Sequence, residues 1–300
     1  MLFDRFRDRI PAWLDGNDLE RHLRALFLNQ ASDLARATGQ RSAPFDPVPA
    51  LFERGVHVIM PVRALEQEAL LVPDEEGFAL WLRKGAIGSD TLSLSTPRRE
   101  NLRPRVRTTL AHELGHTFFY DISSRPPRAS VSNLTVHGRR ELETKEEWWC
   151  MDFARAFLIP DTWASRHLKT GDFPSFEEAT ELRERLAVTW DILFRRLIWD
   201  LRLWRHCAIA ELDMRGGSVR RLWKSPESRG WSMNRWYNEI GRDVVVSTVG
   251  RLTRWGEKEV ETHLVDGAPA RLIVSGSRVA PRVLVAVCFS HTRSLDSFAA

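Results

Sequence analysis

The sequence predicts an α+β fold in three consecutive parts. Three observations predict it. Apolar residues recur at helical spacing in four long stretches. Short β runs bounded by Gly, Pro or Asp fill the space between the first two. Near His206 the pattern turns to β runs that continue to Phe289. The expected parts are residues 1–165, an N-terminal helix followed by an α+β core; residues 166–205, a helical segment with helix-turn-helix rhythm; and residues 206–300, a small α/β domain.

Residues 1–40 read as helical from Leu19, Leu23, Leu26, Phe27, Leu34 and Ala35. Residues 41–49 are a Pro-rich break. Strands are expected at Val56–Val62, Ala69–Val72, Phe78–Leu82 and Thr91–Leu94, with a hairpin connection at Asp74–Gly77. A helix should begin near Arg103, because Pro104 suits a first turn that needs no N–H. It should run to about Tyr120. Residues 121–137 are polar and read as a loop. A second helix covers about Glu141–Leu158 and stops before Pro160, which biases Ile159 away from helical geometry. Helices are next expected at Glu177–Leu186 and Trp190–Leu203, with a break near Val188 and Thr189. Six strands should follow, at Cys207–Leu212, Ser218–Trp223, Val244–Val249, Glu259–Val265, Arg271–Val274 and Val283–Phe289.

With 300 residues and 43% apolar composition, the chain can build a core without a disulfide or a metal. A net charge of +4 tolerates an acidic partner but demands none, since the basic pairs are scattered. The three cysteines, Cys150, Cys207 and Cys288, are far apart in sequence, form no CxxC motif and fit a reducing compartment. The first eight residues carry charge where a secretion signal needs an apolar run. No apolar stretch is long enough to span a bilayer. The expectation is a cytoplasmic protein with no membrane partner. Twelve tryptophans, several within apolar-periodic stretches, read as core.

The strongest chemical signal is His112-Glu113-Leu114-Gly115-His116. Residues four apart share a helix face, so both imidazoles can reach one ion. Zinc accepts neutral imidazole nitrogen in tetrahedral geometry. Glu113, beside the first His, is placed to act on the attacking water as general base. The bland alternative is a surface helix with two exposed histidines. Leu110, Ala111, Leu114, Gly115, Phe118 and Phe119 argue against it, because polar groups in apolar surroundings need partners. A catalytic zinc needs a third protein ligand. The next helix offers Glu141, Glu143, Glu146 and Glu147 beside an apolar face of Trp149, Cys150, Phe153, Ala154, Phe157 and Leu158. Periodicity turns a carboxylate inward without saying which one.

The segment Thr108-Thr109-Leu110-Ala111-His112-Glu113-Leu114-Gly115-His116, preceded by an Arg-rich stretch, resembles the ImmA/IrrE metallopeptidases. The helix Glu147 to Pro160, with its Phe153-Ala154 pair, resembles the second motif helix of that family. The resemblance covers about residues 55–200. It implies a gluzincin-like zinc peptidase core, with His112, His116 and Glu147 as metal ligands and Glu113 as catalytic base. Manganese suits such a ligand set as well. The implied substrate is a partner protein, a helix-turn-helix repressor, cut in a stress or mobile-element response. Two positions depart from the family pattern. Met151 stands where the family often has Asn or Asp, with Asp152 one place on, and Tyr120 stands where many members have His. Tyr120 and His137 are the candidates for stabilising an oxyanion.

In the segment around Glu178–Leu197, Thr189 can cap a second helix and Arg195 and Arg196 could approach phosphates. Trp190, Ile192, Leu193, Phe194, Leu197, Ile198 and Trp199 make that helix strongly apolar, so core packing is favoured over DNA binding. The order of segments after residue 206 is similar to family members that end in a small GAF-like sensory domain. The competing reading of the whole chain is a DNA- or protein-binding regulator whose metal site is structural or vestigial.

Overall fold

A computed structural model describes residues 16–84, 102–129, 139–228, 231–252, 256–265, 267–277 and 281–289. The expected strand Thr91–Leu94 and the candidate His137 lie outside these residues. The fold is mixed α+β and divides into two compact units. One comprises Met1–Arg166 and Arg185–Ile192, the other His167–Glu184 and Leu193–Ala300.

The first unit opens with α1 (Gly16–Ala37), which buries Phe27, Ala31 and Ala35, one turn apart on one face. The Pro-rich break differs from expectation at its end. Pro47 begins α2 (Pro47–Glu53), whose first turn needs no proline N–H, and the Asp46 side chain accepts from Val48 N at 3.0 Å as its cap. Three strands follow as expected: β1 (Val56–Val62), β2 (Ala69–Asp74) and β3 (Gly77–Arg83). Their order is β1-β3-β2, with β1 parallel and β2 antiparallel to β3. Phe78, Ala79, Leu80 and Leu82 make the middle strand an almost continuous buried run. The β2–β3 hairpin is tied by Asp74 Oδ1, which accepts from the backbone N–H of Glu76 and Gly77.

Two helices follow, and the second packs against both the first and α1. The first, α3, spans Pro104–His116, and the second, α4, spans Arg139–Leu158. The stretch expected as loop between them contains a short ladder, β4 (Tyr120–Asp121) with β5 (Arg128–Ala129). The predicted apolar face of α4 is buried as a set: Trp149, Cys150, Phe153, Ala154, Phe157 and Leu158 are all at most 9% exposed. Phe27 centres the packing, with its ring 5.1 Å from Phe153, 5.8 Å from Phe118 and 5.6 Å from Phe119. No described helix is long and apolar enough to cross a membrane.

After α5 (Asp161–His167) the chain forms β6 (Gly171–Asp172), α6 (Phe176–Leu186) and α7 (Trp190–Phe194). Thr189 Oγ1 accepts from Ile192 N at 3.4 Å, the expected cap. The second helix is shorter than expected: α7 passes into a π-turn at Arg195–Asp200. Ile192, Leu193, Phe194, Leu197 and Ile198 are buried, and so is Arg196, 3.6 Å from Asp200. A buried guanidinium cannot reach a phosphate, which disfavours Arg196 as a DNA contact.

In the second unit β7 (Trp204–Arg205) pairs with β6. A five-stranded antiparallel sheet follows, of β8 (Cys207–Asp213), β9 (Ser218–Lys224), β10 (Gly256–His263), β11 (Pro269–Gly276) and β12 (Arg282–Phe289), in the order β10-β11-β12-β8-β9. Ala208, Ala210, Leu212, Leu272, Val274, Val285 and Val287 form a buried core with Trp231, Trp236 and Tyr237. Helices α8 (Met233–Trp236) and α9 (Arg242–Gly250) lie between β9 and β10 in sequence. The expected strand Val244–Val249 is therefore a helix. Its valines favour strands, but Val245, Thr248 and Val249 are buried while Val246 is half exposed, which is helical spacing. Tertiary burial overrides local propensity here.

Candidate metal centre

The helix α3 starts at Pro104, as expected, and ends at His116. Its last turn is fixed by Arg54, whose buried guanidinium donates to the Thr117 carbonyl at 2.9 Å and to Thr117 Oγ1 at 3.2 Å. A cation at the C-terminal end also suits the helix dipole. Close contact with α4 depends on Gly115. A Cβ there would lie 3.1 Å from Cys150 Cα and 3.2 Å from Cys150 Sγ. Burial pushes the Cys150 thiol up to about 12. A small residue in the fourth position of the His-Glu-x-x-His motif thus lets the two helices approach closely enough to share a site.

The side chains that converge are His112, His116, Glu146 and Glu147. His112 Nε2 and His116 Nε2 are 3.0 Å apart. One Glu147 oxygen is 3.1 Å from His112 Nε2 and the other is 3.4 Å from His116 Nε2. Ligands about 2.0–2.1 Å from a tetrahedral zinc are separated from one another by about 3.3–3.4 Å. Two imidazole nitrogens and a carboxylate at these spacings fit one divalent ion. Glu113 is also close, its carboxylate within 4.8 Å of the imidazole nitrogens. Proximity alone would admit either glutamate as third ligand. Surroundings separate them: the Glu147 side chain is 59% exposed and faces both Nε2 atoms, whereas Glu113 is buried and its carboxylate accepts from the Leu71 backbone.

That last contact follows from strand register. Arg83 N–H donates to the Glu68 carbonyl, so the hydrogen-bonded pairs of β2 and β3 fall at Glu68, Leu70 and Val72. Leu71 then directs its N–H away from β3, across an edge that no other described strand covers, towards Glu113.

The electrostatics favour positive charge where the nitrogens meet. Burial raises Glu113, opposed by His116 and His112. For His116 burial opposes protonation, but contacts with Cys150, Glu146 and Glu147 outweigh it and raise the group well above the ordinary imidazole range. Glu147 is held far below the usual carboxylate range by its contacts with His112 and His116. Three carboxylates stand around two imidazoles, a cluster whose negative charge a divalent cation would balance.

Glu146 is the residue the sequence did not single out. It was one of four candidate carboxylates, without a role of its own. His116 Nδ1 lies 2.8 Å from Glu146 Oε1. Donation from Nδ1–H fixes the tautomer that leaves Nε2 free for a metal. Replacing Glu146 with Gln should weaken zinc binding by about 10- to 100-fold without abolishing it. Competition with a chromophoric chelator measures this, and unchanged affinity would remove Glu146 from the site.

Other candidates separate clearly. Asp152 is paired with Arg24 and Arg155 and so is engaged in joining α1 to α4. Tyr120 packs edge-on against Phe78, with ring centroids 5.2 Å apart. Burial raises its phenol, and Glu146, His116 and Glu113 all act on it electrostatically. It borders the centre and keeps its proton.

No family model matches the chain, and no curated protein matches it. Among solved structures, a Mycobacterium tuberculosis transcriptional regulator is similar at 14% identity and a TM-score of 0.48, with 92% of this chain and 98% of that chain covered.

Proposed function

We propose that the chain is a zinc metallopeptidase with a gluzincin-like core of the ImmA/IrrE kind. One observation carries the reading: two imidazole Nε2 atoms and the Glu147 carboxylate converge within 3.0–3.4 Å, beside a buried carboxylate that is not among them. His112, His116 and Glu147 hold the ion. A bound zinc supplies Lewis acidity and brings the pKa of water towards 7. Glu113, buried and anchored to β2, accepts a proton from the attacking water at its carboxylate and returns it to the leaving amine. A purely structural site has no use for that fourth group, which favours an enzyme over a regulator with a vestigial centre.

Among the described residues no strand pairs with the outer edge of β2, which runs beside Glu113. Its outward backbone groups can align an extended peptide by strand addition. The substrate class we propose is accordingly a protein segment in extended conformation, carried by a helix-turn-helix repressor, with cleavage in the cytoplasm. The second unit, with helices against an antiparallel sheet, serves as a GAF-like sensory or substrate-holding module.

Elemental analysis of the purified wild type, His116→Ala and Glu147→Gln tests the centre. About one zinc per wild-type chain is expected, with most of it lost in both variants. A wild type that takes up no zinc or manganese after reconstitution would overturn the peptidase reading in favour of a binding regulator.

A further inference from the structure

Cys207 and Cys288, remote in sequence, stand directly opposite each other on β8 and β12. The neighbouring pair fixes the kind of site. Phe289 N–H donates to the His206 carbonyl at 2.8 Å, and Met214 N–H donates to Pro281 at the other end. Hydrogen-bonded pairs therefore fall at even positions of β8, and Cys207–Cys288 is a non-hydrogen-bonded pair. The Cys207 backbone bonds the other way, its carbonyl accepting from Ser225 N–H. Such pairs hold their Cα atoms about 4.5 Å apart with side chains on one face. A disulfide spans Cα separations of about 4.4–6.8 Å.

The third residue in this row is Arg271, opposite Cys288 on β11. Ala208, Ala210, Leu272 and Val287 face the apolar core, so the row of Arg271, Cys288 and Cys207 lies on the other face. The Arg271 guanidinium lies near the Cys288 thiol, acts on it electrostatically, and donates to the Phe173 carbonyl at 2.9 Å. Cys288 keeps 5% exposure and Cys207 none. The two thiols are thus unequal: one has a cation beside it and residual access, the other is sealed behind it.

We propose that Cys207 and Cys288 are a redox-responsive pair that a small peroxide converts to a cross-strand disulfide. Cys288, as thiolate beside Arg271, attacks one peroxide oxygen. The O–O bond breaks, the departing hydroxide takes up the thiol proton as water, and Cys288 becomes a sulfenic acid. The Cys207 sulfur then attacks the Cys288 sulfur, and hydroxide leaves with the Cys207 proton as a second water. Two thiols are oxidised and one peroxide is reduced to two waters. Burial keeps both thiols largely protonated, against the pull of Arg271 on Cys288, so the conversion is slow. A dithiol reductant reverses it.

The test is made on the full chain with hydrogen peroxide as the probe. After oxidation, denaturation and alkylation, non-reducing peptide mapping should show the Cys207 and Cys288 peptides joined, with Cys150 alkylated. Dithiothreitol should restore both. In Cys207→Ser, a sulfenic acid at Cys288 should persist and react with dimedone. Recovery of all three cysteines as thiols, or a cross-link that involves Cys150 or a second chain, would overturn the proposal.

Discussion

Glu113→Gln should retain a full complement of metal while its hydrolytic rate falls by about 10²- to 10⁴-fold, the usual contribution of a general base. That corresponds to roughly 3–5 kcal/mol of lost transition-state stabilisation. The expectation rests on the division of labour among the glutamates. Glu147 faces both Nε2 atoms, so its loss removes a ligand. Glu113 is 8% exposed and held by the Leu71 backbone, so its loss removes a base and leaves the ligands in place. The amide oxygen of Gln can still face the Leu71 N–H of β2, but the side chain cannot take up a proton. Cleavage of a fluorescently labelled unfolded protein, measured at equal metal loading, separates the two. A variant as fast as the wild type would show that the hydrolysis does not pass through this site.

The site was legible in part because its geometry is short-range. Four residues along α3 set the two imidazoles on one face, and the apolar stripe of α4 turned its glutamates towards them. The distinction between Glu146 and Glu147 was not legible from periodicity. Adjacent residues differ by 100° around a helix, and both can reach the histidines. That one meets Nδ1 and the other Nε2 depends on how far α3 and α4 approach, which Gly115 and Cys150 decide.

The fold divides along the same line. Strands β1, β2 and β3 and the helices α3 and α4 lay where pattern placed them, since their apolar periods are unambiguous. Val244–Val249 went the other way because a β-branched run is a weak prior, and the spacing of its buried members was the better signal. Pairing between distant strands is not written in either strand. Nothing in the sequence places Cys207 against Cys288; the register of β8 and β12 does.

Buried arginines are a further case, and one carries the larger stability prediction. Arg107 belongs to the Arg-rich stretch that precedes the motif, where surface exposure is the ordinary expectation. It is instead 2% exposed, among the largest fully buried side chains. Its guanidinium donates to the Phe45 carbonyl and lies beside Asp46, itself 5% exposed. Burial lowers the Arg107 pKa, and the Asp46 charge opposes that fall. Arg107 therefore joins the cap of α2 to the helix that carries the histidines. Arg107→Met matches the aliphatic stem but leaves the buried Phe45 carbonyl without this charged donor and removes the positive charge near Asp46. Losing a hydrogen bond from a charged group to a buried acceptor costs about 1.5–3 kcal/mol. Over a unit of this size that lowers the melting temperature by roughly 5–10 °C. Thermal unfolding followed by circular dichroism measures it, with Arg105→Met as the comparison, since the Arg105 side chain is 76% exposed and should shift little. A drop no larger than that of Arg105→Met would mean that α2 and α3 hold together by apolar packing, and that the Arg107 bond to the Phe45 carbonyl contributes nothing measurable.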